Sequence, residues 1–82
     1  MYTAINRKVQ VVALFQNGKI IPKIFKWQSR DYKVHEISLY YTERDGKSIN
    51  HYFGILTSDG NVFKLSFNNL SLIWILQEVW SE

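Results

Sequence analysis

Pro22-Lys23-Ile24-Phe25-Lys26-Trp27-Gln28-Ser29-Arg30-Asp31-Tyr32-Lys33-Val34 is the stretch on which the fold turns. It holds the only proline, the first tryptophan and the densest positive charge of the chain. Lys19, Lys23, Lys26, Arg30 and Lys33 fall close together, with Asp31 the only acid among them. Gln28-Ser29-Arg30-Asp31 reads as a polar turn, so the stretch is a corner between two strands. Proline cannot donate to a ladder, so Pro22 marks an edge position or a bulge. A bulge there swings Phe25 and Trp27 relative to Ile20.

The strand before the corner is paired by what precedes it. From Arg7 to Gln16, Val9, Val11, Ala13 and Phe15 alternate with Lys8, Gln10, Val12 and Leu14, a period of two. Asn17-Gly18 then supplies the positive φ that both central residues of a type I′ hairpin need. A two-residue loop matches Gln16 with Lys19, Phe15 with Ile20, Ala13 with Pro22 and Val11 with Ile24. The opposite face carries Val12, Leu14, Ile21, Lys23, Phe25 and Trp27. With that content, both faces call for burial.

Beyond the corner, the third strand is expected from Tyr32 to Thr42. Its phase slips: Tyr32 and Val34 share one parity, and Ile37, Leu39 and Tyr41 the other. One extra residue near His35-Glu36 reconciles them. Asp45-Gly46 tips the next turn, and Ser48 to Thr57 is the fourth strand. Gly54 in its middle allows a close backbone approach. Ser58-Asp59-Gly60-Asn61 is a tight turn. The fifth strand, Val62 to Phe67, turns Phe63, Leu65 and Phe67 inward. Leu70 to Trp80 fits two periods. Strand parity groups Leu72, Trp74, Leu76 and Trp80; helical spacing groups Leu72, Ile75, Leu76 and Val79, with Asn69 or Ser71 as cap. Five short strands at regular spacing favour a sixth. The expected fold is all-β, about six antiparallel strands in a bent meander closing into a small SH3-like barrel or roll.

Eighty-two residues make one domain, read as 1–82. There is no cysteine, hence no disulfide or thiolate metal site. Stability must come from packing, and aromatic residues at 16% supply large buried areas. Met1 to Lys8 lacks the pattern of a secretory leader, and no apolar run reaches membrane-helix length. A cytoplasmic protein without membrane contact is the expectation. The net charge of +3 is mild and names no partner.

At the corner, Pro22, Phe25, Trp27, Arg30, Tyr32 and Val34 follow the spacing P-x-x-F-x-W-x-x-R-x-Y-x-V. Downstream come Tyr52, a turn with Gly60, Phe63, Leu65 and Trp74-Ile75-Leu76. Over roughly residues 9 to 80 the chain resembles a group of small bacterial all-β domains of unknown function. It departs from that group at Tyr40-Tyr41, where a tryptophan is favoured. It departs again at Gln28-Ser29, where a basic residue or glycine is common. The resemblance implies the same fold and no established activity. Some members lie near genes for DNA-repair polymerases, which points toward nucleic acid.

The residues argue against catalysis. His35 and His51 do not stand at metal-ligand spacing, and no other motif completes a site. No serine sits in a nucleophile elbow, although folding could bring Ser38 near His51. The seven acids are scattered, and the four glycines form no phosphate loop. No cofactor is expected. The sharpest feature is the basic-aromatic run: Lys23, Phe25, Lys26, Trp27, Arg30, Tyr32 and Lys33 are the candidate binding residues. If that face is open, lysines meet phosphate and rings stack bases. Otherwise Phe25 and Trp27 are core and the lysines a solvated rim. Arg30 either grips an anion or stacks on Trp27 or Tyr32 to lock the corner. The function expected is a non-enzymatic module that binds a protein partner or a second copy. Single-strand nucleic-acid binding is the alternative. Exposed rings would favour nucleic acid; buried rings beside a bare strand edge would favour protein.

Overall fold

A computed structural model describes residues 1–80. Six strands follow in order: β1 (Tyr2–Gln16), β2 (Lys19–Trp27), β3 (Arg30–Asp45), β4 (Ser48–Thr57), β5 (Val62–Asn68) and β6 (Trp74–Trp80). Each pairs antiparallel with its sequence neighbours, and β6 returns to β1, so the meander closes into a ring. Among the described residues there is no helix, and hence none long and apolar enough to cross a membrane. The helical alternative for the last segment is thereby corrected. The reason lies in two asparagines. Asn68 Oδ1 accepts from the N–H groups of Leu70 and Ser71, each at 2.9 Å, and Asn69 Oδ1 accepts from Ile49 N at 2.7 Å. These side chains close one turn and tie it to β4, and Leu72 then takes φ +60°, which ends it.

The first hairpin turns as its residues dictate. Asn17 and Gly18 both adopt positive φ, at 52° and 75°. Gln28 and Ser29 do the same, at 52° and 61°, so the corner is a second two-residue turn of this kind, and β3 starts earlier than expected, at Arg30. Non-glycine residues in that region cost on the order of 1 kcal/mol each. The turn is held from both sides, by Trp27 packed on Phe63 and by Arg30 bound to Asp59.

The bulges decide which side chains face inward. Ala13 pairs with Pro22 as expected, but Val12 then pairs with Ile24 and Val11 with Phe25. The extra residue is Lys23. The expected match of Val11 with Ile24 is corrected, because the slip at Pro22 moves every later residue of β2 to the other face. On β3, His35 is bulged as expected, between Val34 and Glu36. A second bulge at Ser38 restores the earlier phase, so Tyr40 shares the face of Phe53, though it stays exposed, while Leu39 and Tyr41 lie on the other. Gly54 makes room for it: a Cβ there would stand 3.0 Å from Leu39 Cβ and 3.1 Å from Ser38 Oγ. β1 is longer than its alternation suggests, and a bulge at Ile5-Asn6 lets its first half pair with β6. On β6, Gln77 is the extra residue, so Val79 rather than Trp80 packs on the core. Leu72 is exposed in the preceding loop.

The core is a column of rings and aliphatics. Phe25 stacks on Tyr32 at 5.1 Å, and Phe63 packs edge-on to both. Ile55, Leu65 and Leu76 fill the middle, fully buried. Phe53, Phe67 and Trp74 close the other end. Each such side chain contributes roughly 1.5–3 kcal/mol on burial.

Candidate functional site

The basic-aromatic run does not form one face. The bulge at Lys23 separates its lysines from its rings. Phe25 is 1% exposed and Tyr32 9%, so both are core, and Trp27 is half-buried against Tyr32 and Phe63. Lys23, Lys26 and Lys33 are exposed. Of the two readings of this run, Phe25 and Trp27 open beside Lys23 or rings in the core with the lysines as a solvated rim, Phe25 takes the second. Phe25, buried between Tyr32 and Phe63, has no open π-face to give a base.

What the bulge leaves outside is aliphatic. Across β1, β2 and β3, the outward rows are Gln16 and Lys19; Leu14 and Ile21; Val12, Ile24 and Lys33; Gln10, Lys26 and Asp31. Val12 is 63% exposed and Leu14 43%, with Ile21 and Ile24 half-buried. Four branched aliphatic side chains thus lie together on an open sheet face. Lys19, Lys23, Lys26 and Lys33 rim it, and Asp31 is the one acid, 4.0 Å from Lys26. The sequence reading demanded cover for this face, and the described residues do not provide it. Sequence reasoning missed these four residues as a site because it gave this face Phe25 and Trp27 as well. The signal was there in a hairpin apolar on both sides.

Arg30 locks the corner. Its Cζ lies 4.9 Å from the centroid of Tyr32, and its Nη2 donates to Asp59 Oδ2 at 2.6 Å. The stacking expectation holds, and the fork also grips a carboxylate, but one within the chain. Asp59 is braced in turn by the Thr57 hydroxyl, which also accepts from Asn61 N at 3.0 Å. That hydroxyl above all, with Asn61 and the Arg30 charge behind it, holds the Asp59 carboxyl below its usual range.

Two recesses flank the β1–β2 hairpin where pairing stops. β2 meets β3 only from Ile24 to Trp27. Where they part, Gly18, Lys19, Ile20, Ile21, Ile37, Tyr40 and Phe53 line an apolar groove of about 300 Å³. It adjoins the aliphatic face through Ile21. At the other end, beyond Trp27, an open recess of about 550 Å³ is lined by Ala4, Ile5, Arg7, Lys8, Trp27 and Gln28.

The polar groups on β3, β4 and β5 bond to one another. His51 Nδ1 and the Tyr40 hydroxyl share a hydrogen bond of 2.8 Å, while Ser38 Oγ donates to the Gly54 carbonyl at 3.3 Å. The conjectured Ser38–His51 pair is therefore not assembled. On the far side of the ring, Tyr41 stacks on Tyr52, and Lys64 Nζ lies over both rings at 5.3 and 5.2 Å. The Tyr41 hydroxyl chiefly raises the Lys64 pKa, and burial, then Glu43, raise that of Tyr52. Both groups keep their ordinary neutral-pH charge, so this cluster is a stable pillar rather than a base. Among the described residues no three His, Asp or Glu side chains gather as metal ligands.

No protein-family model, curated protein or solved structure matches the chain.

Proposed function

We propose that the domain is a non-enzymatic protein-interaction module, and that its partner seats on the outer face of the β1–β2 hairpin. The observation that carries this is the open quartet Val12, Leu14, Ile21 and Ile24. Exposed apolar patches with polar rims mark association surfaces, and each aliphatic side chain gains roughly 1.5–3 kcal/mol on full burial. An SH3-like barrel is the architecture we assign, supported by β1 and β3, which each pair in both halves of the ring.

The rim selects the partner. Two copies meeting on this face would set Lys19, Lys23, Lys26 and Lys33 against their own counterparts, with Asp31 alone to offset them. That argues against a second copy and for a protein with an apolar centre and an acidic border. Charge of one sign around an apolar centre steers encounter and rejects like-charged surfaces. The Ile20–Ile37 groove beside the face can take one side chain of the same partner. Single-strand nucleic acid is less well served here, since the exposed carbons belong to aliphatic side chains rather than rings.

The test compares proteins captured by the native domain and by Leu14→Glu and Val12→Glu variants, with circular dichroism to verify the fold. The expected result is an acidic protein retained by the native domain and reduced at least tenfold in both folded variants, as loss of a central interface contact implies. An unchanged captured set would overturn the reading. So would recovery of nucleic acid alone.

A further inference from the structure

We infer that the recess beyond Trp27 is a second binding site, for a ligand that joins a flat ring to a phosphate: a nucleotide, free or at a position in a single strand. It stands apart from the aliphatic face and rests on different residues.

The recess exists because two strands stop pairing. β1 joins β2 only from Gln10 onward, and β2 ends at Trp27. The first half of β1 leans instead toward β6, helped by the bulge at Ile5-Asn6, where Asn6 takes φ 52°. The gap between Lys8 and Trp27 is the recess. Its volume of about 550 Å³ lies in the range of small-ligand sites, roughly 300–1,000 Å³.

Its lining divides by chemistry. Trp27 packs on Tyr32 at 6.4 Å and on Phe63 at 6.1 Å, which fixes the indole from the core side. Its exposed remainder lines the recess, so the ring is a rigid wall rather than a mobile flap. Arg7 and Lys8 stand on the opposite strand, held in register by Leu76 and Ile75. Both are exposed, and among the described residues no Asp or Glu lines the recess. Gln28 adds an amide with both donor and acceptor. Arg7 and Lys8, consecutive on β1, flank the recess from the two faces of the strand, and a cation opposite an aromatic wall matches a phosphate joined to a stacked base. Ala4 and Ile5 supply the small apolar remainder for a sugar. Lys19, Lys23, Lys26 and Lys33 do not line the recess.

The experiment is an NMR titration of the isotope-labelled chain with thymidine, thymidine monophosphate, inorganic phosphate and an eight-residue oligothymidylate. Expected are shifts of the Trp27 indole N–H and of the Arg7, Lys8 and Gln28 amides with the monophosphate, while Trp74 and Trp80 stay still. Thymidine or phosphate alone should bind more weakly. Arg7→Gln with Lys8→Gln, at exposed positions that leave the core intact, should weaken monophosphate binding roughly tenfold or more, as loss of charge-assisted contacts implies. Oligothymidylate binding tighter than the monophosphate and falling about sevenfold between 50 and 200 mM salt would name a single strand as the source, given two phosphate contacts. Equal affinities would name the free nucleotide. No shift at Trp27, equal response to thymidine, or shifts confined to Lys19, Lys23, Lys26 and Lys33 would each overturn the site. None of these results bears on capture through Leu14 and Val12, so the two proposals fail separately.

Discussion

The two faces of the β1–β2–β3 sheet are both apolar, yet they have opposite fates. The inner face carries Val11, Ala13, Ile20, Pro22, Phe25 and Tyr32 and is closed by Phe63 from β5. The outer face carries Val12, Leu14, Ile21 and Ile24 and is closed by nothing among the described residues. One residue separates these outcomes. Without the bulge at Lys23, strict alternation would put Phe25 and Trp27 outside beside Leu14, and Ile24 inside. The comparison teaches that an apolar residue count does not locate a core. The register does, and an unpaid hydrophobic demand on one face is then information about a partner.

The sharpest way to break the comparison is to put a charge on the inner face. Phe25→Asp sets a carboxylate where the register places a ring, and its desolvation adds to the ~3–5 kcal/mol of a Phe→Ala change, enough to unfold a small domain. Loss of amide dispersion in the NMR spectrum would report it; a native spectrum would refute the inward place given to Phe25. The next largest effect sets one face against the other. Phe25→Ala should cost about 3–5 kcal/mol by urea unfolding. Val12→Ala, on the open face, should stay within about 0.5–1 kcal/mol. Equal costs would mean that the outer face is packed.

Gly54→Val tests the second bulge. A side chain there meets Leu39 Cβ and Ser38 Oγ at once, so a loss of about 1–3 kcal/mol is expected, and Leu39→Ala, which keeps the clashing Cβ, should not recover it. Ser29→Gly should act the other way. It relieves a positive φ of 61° at the corner turn and gains about 0.5–1 kcal/mol in the same assay.

The smallest effect is the pH response of the corner. The Asp59 carboxyl is held low, chiefly by the Thr57 hydroxyl. A depressed carboxyl stabilises the fold above its unfolded-state pKa, and that gain is lost as pH falls through its folded value. Unfolding midpoints measured down the acid range should therefore fall less steeply in Asp59→Asn than in the native chain. Equal slopes would show that the carboxylate is not linked to folding.

Much of this fold was legible in the residues. Asn17-Gly18 fixed the first hairpin because few other pairs accept its geometry. Pro22 and the phase slip at His35 announced two bulges, and Gly54 the close approach. The split of the candidate site was not legible. The sequence reading placed a bulge near Pro22 but kept Lys23, Phe25 and Trp27 on one parity, because which residue is extra depends on the partner strand. The bulges at Ser38 and Gln77 were hidden for the same reason. Each is visible only when Gly54 or Leu65 is set opposite. The first half of β1 lacks a clean alternation, and its strand state comes from pairing with β6, a contact across nearly the whole chain. Arg7, Lys8 and Trp27 are far apart in sequence, so their shared recess has no local signature.

The central claim is that the rings of β2 face in while its aliphatic neighbours stay open for a partner. The most direct measurement is the attenuation of side-chain NMR signals by a soluble paramagnetic agent. The account predicts strong attenuation at the methyls of Val12, Leu14, Ile21 and Ile24, and protection of the Phe25 and Tyr32 rings. Protected methyls, or an attenuated Phe25 ring, would contradict it.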